Sequence, residues 1–141
     1  MSTKAYIIGF IIGIVAFLLL DAIWLGVLAR ELYRDKLGFL MAKQPFWPAA
    51  VAFYVFFIIG LLVLAIGPYV GGYSPAMILV KGGVFGFMCY MTYDLTNWAV
   101  VKNWPVTLVF IDIAWGTFLA IATTGAILAV LKAANLIQMA S

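Results

Sequence analysis

The sequence predicts an all-α integral membrane protein: one domain over residues 1–141, built as a bundle of four transmembrane helices with a short interfacial helix in the first loop. Three observations predict it. Of the 141 residues, 67% are hydrophobic and only 9% are charged. Mean hydropathy is +1.19. Four stretches reach the roughly 20 residues that a helix needs to cross the hydrocarbon core of a bilayer.

The first stretch runs from Tyr6 to Leu28. Lys4 precedes it as a charge precedes a signal peptide, but the apolar run is too long and lacks a small-residue cleavage site, so it is expected to be retained. Arg30 to Leu37 is the most charged part of the chain, and its leading half suits a short interfacial helix. The breakers Pro45 and Pro48 then lead into a second span, from Trp47 to Ile66. Gly67 to Pro75 is an uncharged, turn-rich loop, and the third span follows from Met77 to Val101. Lys102-Asn103-Trp104-Pro105 makes a tight turn into the fourth, Val106 to Leu131. Proline is nearly absent from the spans, which are expected to be unbroken.

Composition removes several kinds of chemistry. There is no histidine and a single cysteine, so histidine-ligated haem or iron, His-based triads, Cys/His zinc sites and internal disulfides are not expected, and no cofactor is. Cys89 lies mid-span and is expected to pack. The net charge of +3 sits in loops beside headgroups, which suits a membrane surface and not nucleic acid. Loop one carries Arg30, Arg34, Lys36 and Lys43, and loop three carries Lys102; the other side has Lys4, Lys81 and Lys132. The positive-inside rule puts loops one and three in the cytoplasm and both termini outside.

Three acids lie inside the spans: Asp21, Asp94 and Asp112. Carboxylates are costly in hydrocarbon and mark function by default. Asp21 precedes Arg30 by nine residues, Asp94 precedes Lys102 by eight and Asp112 follows Pro105 by seven. At helical rise all three fall about 10 to 14 Å from the same membrane face. Each has a tryptophan three or four residues on, Trp24, Trp98 and Trp115 respectively, and Tyr90 and Asn97 share the face of Asp94. These eight residues are the candidate site for ligand binding or proton coupling. No Lys or Arg lies at matching depth, so at least one of the three acids is expected to be neutral at pH 7.

A structural reading stands beside this one, because buried aspartates can accept hydrogen bonds from Trp, Tyr or Asn on neighbouring helices and hold the bundle together without any ligand. Trp47 and Trp104 are read as interfacial anchors. The deeper Trp24, Trp98 and Trp115 could line a cavity for a planar ligand or an organic cation. Gly9 and Gly13, with Gly82, Gly83 and Gly86, would allow close helix approach. Asp21-x-x-Trp24 near the end of the first span and Asp112-x-x-Trp115 near the start of the fourth echo one another in oppositely directed helices, the pattern left by an inverted repeat.

The strings Leu20-Asp21-Ala22-Ile23-Trp24-Leu25-Gly26, Tyr93-Asp94-Leu95-Thr96-Asn97-Trp98 and Ile111-Asp112-Ile113-Ala114-Trp115-Gly116-Thr117, with Trp104-Pro105 before the last, resemble a bacterial family of small four-helix membrane proteins known only as a domain of unknown function. The resemblance covers essentially the whole chain. It implies the four-helix layout and a bacterial inner-membrane address, and no activity. Lys43-Gln44-Pro45-Phe46-Trp47-Pro48 is similar to the Lys-Pro-x-Trp-x-Pro signature of the tryptophan-rich sensory (translocator) proteins, which bind porphyrins and sterols. Gln44 is an extra residue there, and that family has five spans.

The leading functional expectation is a binding or transport module for a hydrophobic, planar or cationic small molecule, working within the bilayer. The alternative is a structural or assembly subunit, with a homodimer or a larger membrane complex as partner. An intramembrane lipid-modifying enzyme ranks third, since no nucleophile stands beside a base and no metal set is evident.

Overall fold

The computed structural model describes residues 1–140 and contains five helices among them: α1 (Thr3–Ile23), α2 (Arg30–Leu37), α3 (Trp47–Gly60), α4 (Pro75–Val100) and α5 (Val106–Ala133). Four helical stretches, Thr3–Leu28, Trp47–Ile66, Pro75–Val100 and Val106–Ala133, are long and apolar enough to cross a membrane. They coincide with the predicted spans to within three residues at every end.

Local chemistry explains the helix boundaries. The Ser2 hydroxyl accepts from the Ala5 N–H and caps α1, and Ser74 does the same for α4 by accepting from Met77, with Pro75 pre-set at the first helical position. Loop three turns through Asn103, whose φ is 62°, a conformation that asparagine tolerates better than most residues. At the end of α5, Asn135 has φ 54° and the Leu136 N–H reaches back to the Leu131 carbonyl at 2.9 Å, closing the last turn as a Schellman motif.

Two spans depart from the unbroken helices expected. The last turn of the first, Trp24–Leu28, and of the second, Leu61–Ile66, widen to π-helix, with Ala29 donating to the Trp24 carbonyl and Gly67 to the Leu62 carbonyl, each at 2.7 Å. Scarcity of proline gave no warning of this, because a π turn needs only one extra residue in the ladder. The first of these turns begins at Trp24, three residues after Asp21.

α5 is the central element and packs along α4 on one side and α1 on the other. Small residues set these distances, as expected in lipid, where packing and not the hydrophobic effect brings helices together. A Cβ placed on Gly86 would fall against Ala120 and the Gly116 backbone, one on Gly82 against Thr124, and one on Gly13 against Ile58 and Ile127. Phe17, Ile58, Leu61, Ile66, Ile78, Leu119, Ile127 and Leu131 fill the interior, each without exposed surface. α3 lies on α1, but it meets α4 chiefly through its π turn, Leu61–Ile66. Lys81 sits near the start of α4 with its ammonium 5.1 Å from the ring centre of Tyr69, so its charge is turned back toward loop two. The ring of helices is therefore closed at the loop-two end and splayed between α3 and α4 at the loop-one end.

Candidate ligand-binding site

The splayed end holds a cavity of about 630 Å³. Asp21 and Trp24 line it from the first span, Tyr33 from α2, Phe53 and Tyr54 from α3, Cys89, Tyr90, Thr92, Tyr93 and Thr96 from α4, and Asp112 and Trp115 from α5. Its size lies within the range of about 300–1,000 Å³ common for small-molecule sites. Every spanning helix contributes, and so does the charged helix of loop one.

The indoles of Trp24 and Trp115 are stacked, their ring centres 4.4 Å apart and their planes 7° from parallel. Asp21 accepts from the Tyr54 hydroxyl at 3.0 Å and from the Trp115 indole N–H at 3.5 Å. The Trp24 indole N–H donates to the Tyr33 hydroxyl at 3.4 Å, and that hydroxyl donates to Asp112. Both aspartates thus have aromatic donors from other helices. Burial, then the nearby Asp112 charge and the hydrogen bond to it, hold the Tyr33 hydroxyl well above its ordinary titration range.

Asp94 lies behind this wall. It has no exposed surface, and neither carboxyl oxygen has a donor from the chain. Its neighbour is Asp112, on α5. No basic side chain lines the cavity. Among the described residues the one ion pair, Arg34 with Asp35, is on the exposed surface of α2.

A family model described as "Predicted membrane protein (DUF2177)" matches residues 6–130. The chain belongs to this family. It is a small multi-pass membrane protein, and the family carries no established activity. No curated protein and no solved structure matches the chain.

The family assignment agrees with the resemblance read from the three aspartate motifs, while the likeness to the translocator proteins is not shown. Residues 43–48, which carry that likeness, are all exposed at the entry to α3, and none of them lines the cavity. Of the eight candidate residues in this family member, Asp21, Trp24, Tyr90, Asp112 and Trp115 share the cavity wall. Asp94 is one layer behind it. Trp98 is outside: 44% exposed, it packs edge-on against Phe110 on the outer surface, and Asn97 is half-buried but likewise off the wall. Trp104, expected as an anchor at the boundary, is 9% exposed and set edge-on against Tyr93, whereas Trp47 is 66% exposed as an anchor would be. Cys89 is half-buried on the cavity wall.

Tyr33 and Tyr54 were absent from the sequence reading. Tyr54 is one apolar-looking residue among many in a span. Tyr33 lies in a charged loop, and its only signal was the helical spacing of Leu32, Tyr33 and Leu37 among Arg, Glu, Asp and Lys. These three are the half-buried residues of α2.

Proposed function

We propose that the cavity binds a hydrophobic organic cation, with the Asp21 and Asp112 carboxylates supplying opposite charge and the aromatic rings supplying faces. The observation that carries this is two acids and six Tyr or Trp side chains around one space with no basic side chain among them. Cations are attracted to the faces of such rings, by about 2 kcal/mol or more once desolvated. A carboxylate at this depth has strong reason to recruit a positive partner.

The Asp94–Asp112 contact adds proton coupling to the proposal. Two neighbouring buried carboxylates cannot comfortably both be charged, so in this reading the pair shares one proton. Asp94, without any other donor, is the natural store, and Asp112 links it to the cavity. Entry of a cation beside Asp112 favours loss of that proton, which is the coupling a proton-exchanging transporter needs. The proposed setting is the bacterial inner membrane, with loops one and three in the cytoplasm because Arg30, Arg34, Lys36, Lys43 and Lys102 lie there.

The hydrogen bonds of Asp21 and Asp112 also join helices, so a test must separate binding from folding. Labelled tetraphenylphosphonium should bind the purified protein in nanodiscs saturably. The Asp21→Asn/Asp112→Asn variant, which keeps the shape and much of the hydrogen bonding, should bind at least ten-fold more weakly while eluting as the wild type does in gel filtration. Trp98→Phe should bind like the wild type. Equal affinity in the double variant, or no saturable binding by the wild type, would rule the proposal out.

A further inference from the structure

Part of the cavity lining is exposed between α3 and α4, and this bears on what the cavity admits. Along Trp47–Gly60, α3 has no more than a marginal contact with α4; ring contact begins at Phe57, whose centre is 5.2 Å from that of Phe85 and 6.4 Å from that of Tyr90. On the loop-one side of that contact, Phe53 of α3 and Thr92, Tyr93 and Thr96 of α4 border the cavity and are all exposed. The acids behind them are not: Asp21 is 7% exposed and Asp112 8%.

Depth decides what this mouth faces. Phe53 follows Trp47 by six residues, and Thr96 and Thr92 precede Lys102 by six and ten. At helical rise these positions are about 9 to 15 Å below the headgroup boundary, within the acyl chains of one leaflet. The threonines suit that setting, because Thr92 donates to the Met88 carbonyl at 2.6 Å and Thr96 to the Tyr93 carbonyl at 3.0 Å. Their hydroxyls are satisfied within their own helix, so neither threonine presents an unpaired donor to hydrocarbon. From the charged helix of loop one, half-buried Tyr33 also lines the space and donates to Asp112.

We infer that the cavity takes its ligand sideways from the leaflet on the loop-one side, and that the ligand is a single-chain amphiphile. Its cationic head lies against Asp21, Asp112 and the Trp24–Trp115 pair, and its alkyl chain runs out between α3 and α4 past Phe53 and Thr92. This rests on the cation reading given above and adds the entry route and the tail. Charge complementarity fixes the head, and the depth of the rim fixes the tail. A compact aqueous cation satisfies the first requirement and leaves the apolar mouth empty.

Two measurements in nanodiscs test it. In the first, tetramethylammonium and dodecyltrimethylammonium are titrated against tryptophan fluorescence, with membrane partitioning subtracted using empty discs. After that correction the dodecyl compound should bind at least ten-fold more tightly. Equal affinities overturn the tail and the lateral route while leaving the cation site standing; binding of neither overturns both readings. In the second, the Trp47→Phe/Trp98→Phe/Trp104→Phe variant keeps only Trp24 and Trp115, in discs of phospholipid brominated along its acyl chains. Lipid should quench this fluorescence, and dodecyltrimethylammonium should relieve the quenching where tetramethylammonium does not. Fluorescence unaffected by the brominated lipid means the mouth is sealed, and overturns the inference.

Discussion

Trp24 and Trp115 stack face to face at 4.4 Å, and each serves the aspartate of the other's motif: Trp115 donates to Asp21, and Trp24 reaches Asp112 through the Tyr33 hydroxyl. The two Asp-x-x-Trp strings therefore cross over one another on oppositely directed helices. The sequence echo has a physical counterpart here, since each motif supplies one ring to the shared stack and one acid to the partner's hydrogen bonding. A bundle held this way brings two of its acids, a pair of stacked rings and one of its two π turns together.

The stack should be energetically coupled. In a double-mutant cycle of Trp24→Leu and Trp115→Leu, the interaction energy is expected at about 0.5–1.5 kcal/mol, the range for an aromatic pair beyond its area burial. Reversible unfolding in mixed micelles would measure it. Strict additivity would show that the rings are neighbours without mutual stabilisation.

The α4–α5 seam should be the most sensitive to added volume. Gly86→Val brings side-chain atoms onto Ala120 and the Gly116 backbone, whereas Gly26 has open space around it. Overpacking is expected to cost about 1–3 kcal/mol at Gly86, and Gly26→Ala should change stability by less than about 1 kcal/mol. Melting temperatures of the two variants in the same detergent give the comparison.

Docking of α2 should depend on pH through Tyr33. Its hydroxyl is held above the ordinary tyrosine range by burial and by the Asp112 charge, so the folded state favours the neutral phenol. That contribution is fully present below about pH 10, where free tyrosine titrates, and is lost as pH rises further, through the folded value. Proteolysis between Arg30 and Lys36 should accordingly increase above pH 10 in the wild type. In Tyr33→Phe it should already be faster at pH 8 and should lack that rise; identical cleavage of the two proteins at pH 8 would show that the hydroxyl does not hold the helix.

The helices were legible because hydropathy and length alone decide them in a bilayer. The proximity of the three aspartates was legible too, since a fixed rise per residue puts them at similar distances from Arg30, Lys102 and Pro105. Sidedness was harder. Trp98 shares a helical face with Asp94 by spacing, yet α4 is close to its end there and the ring lies outside, against Phe110. Tyr33 and Tyr54 could not be matched to Asp112 and Asp21 because the pairing depends on which helices become neighbours, and nothing in a uniformly apolar span declares that. The π turns were hidden for a similar reason, a shift of one hydrogen bond having no residue of its own.

The most direct measurement is a structure of the protein extracted with its native lipid, resolved well enough to show the space between Asp21, Asp112 and the Trp24–Trp115 pair. The account predicts an elongated feature with its head within hydrogen-bond or ion-pair reach of Asp112 and its tail leaving between Phe53 and Thr92. A cavity filled by a helix of a second chain, or by water alone with α3 closed onto α4, would contradict it.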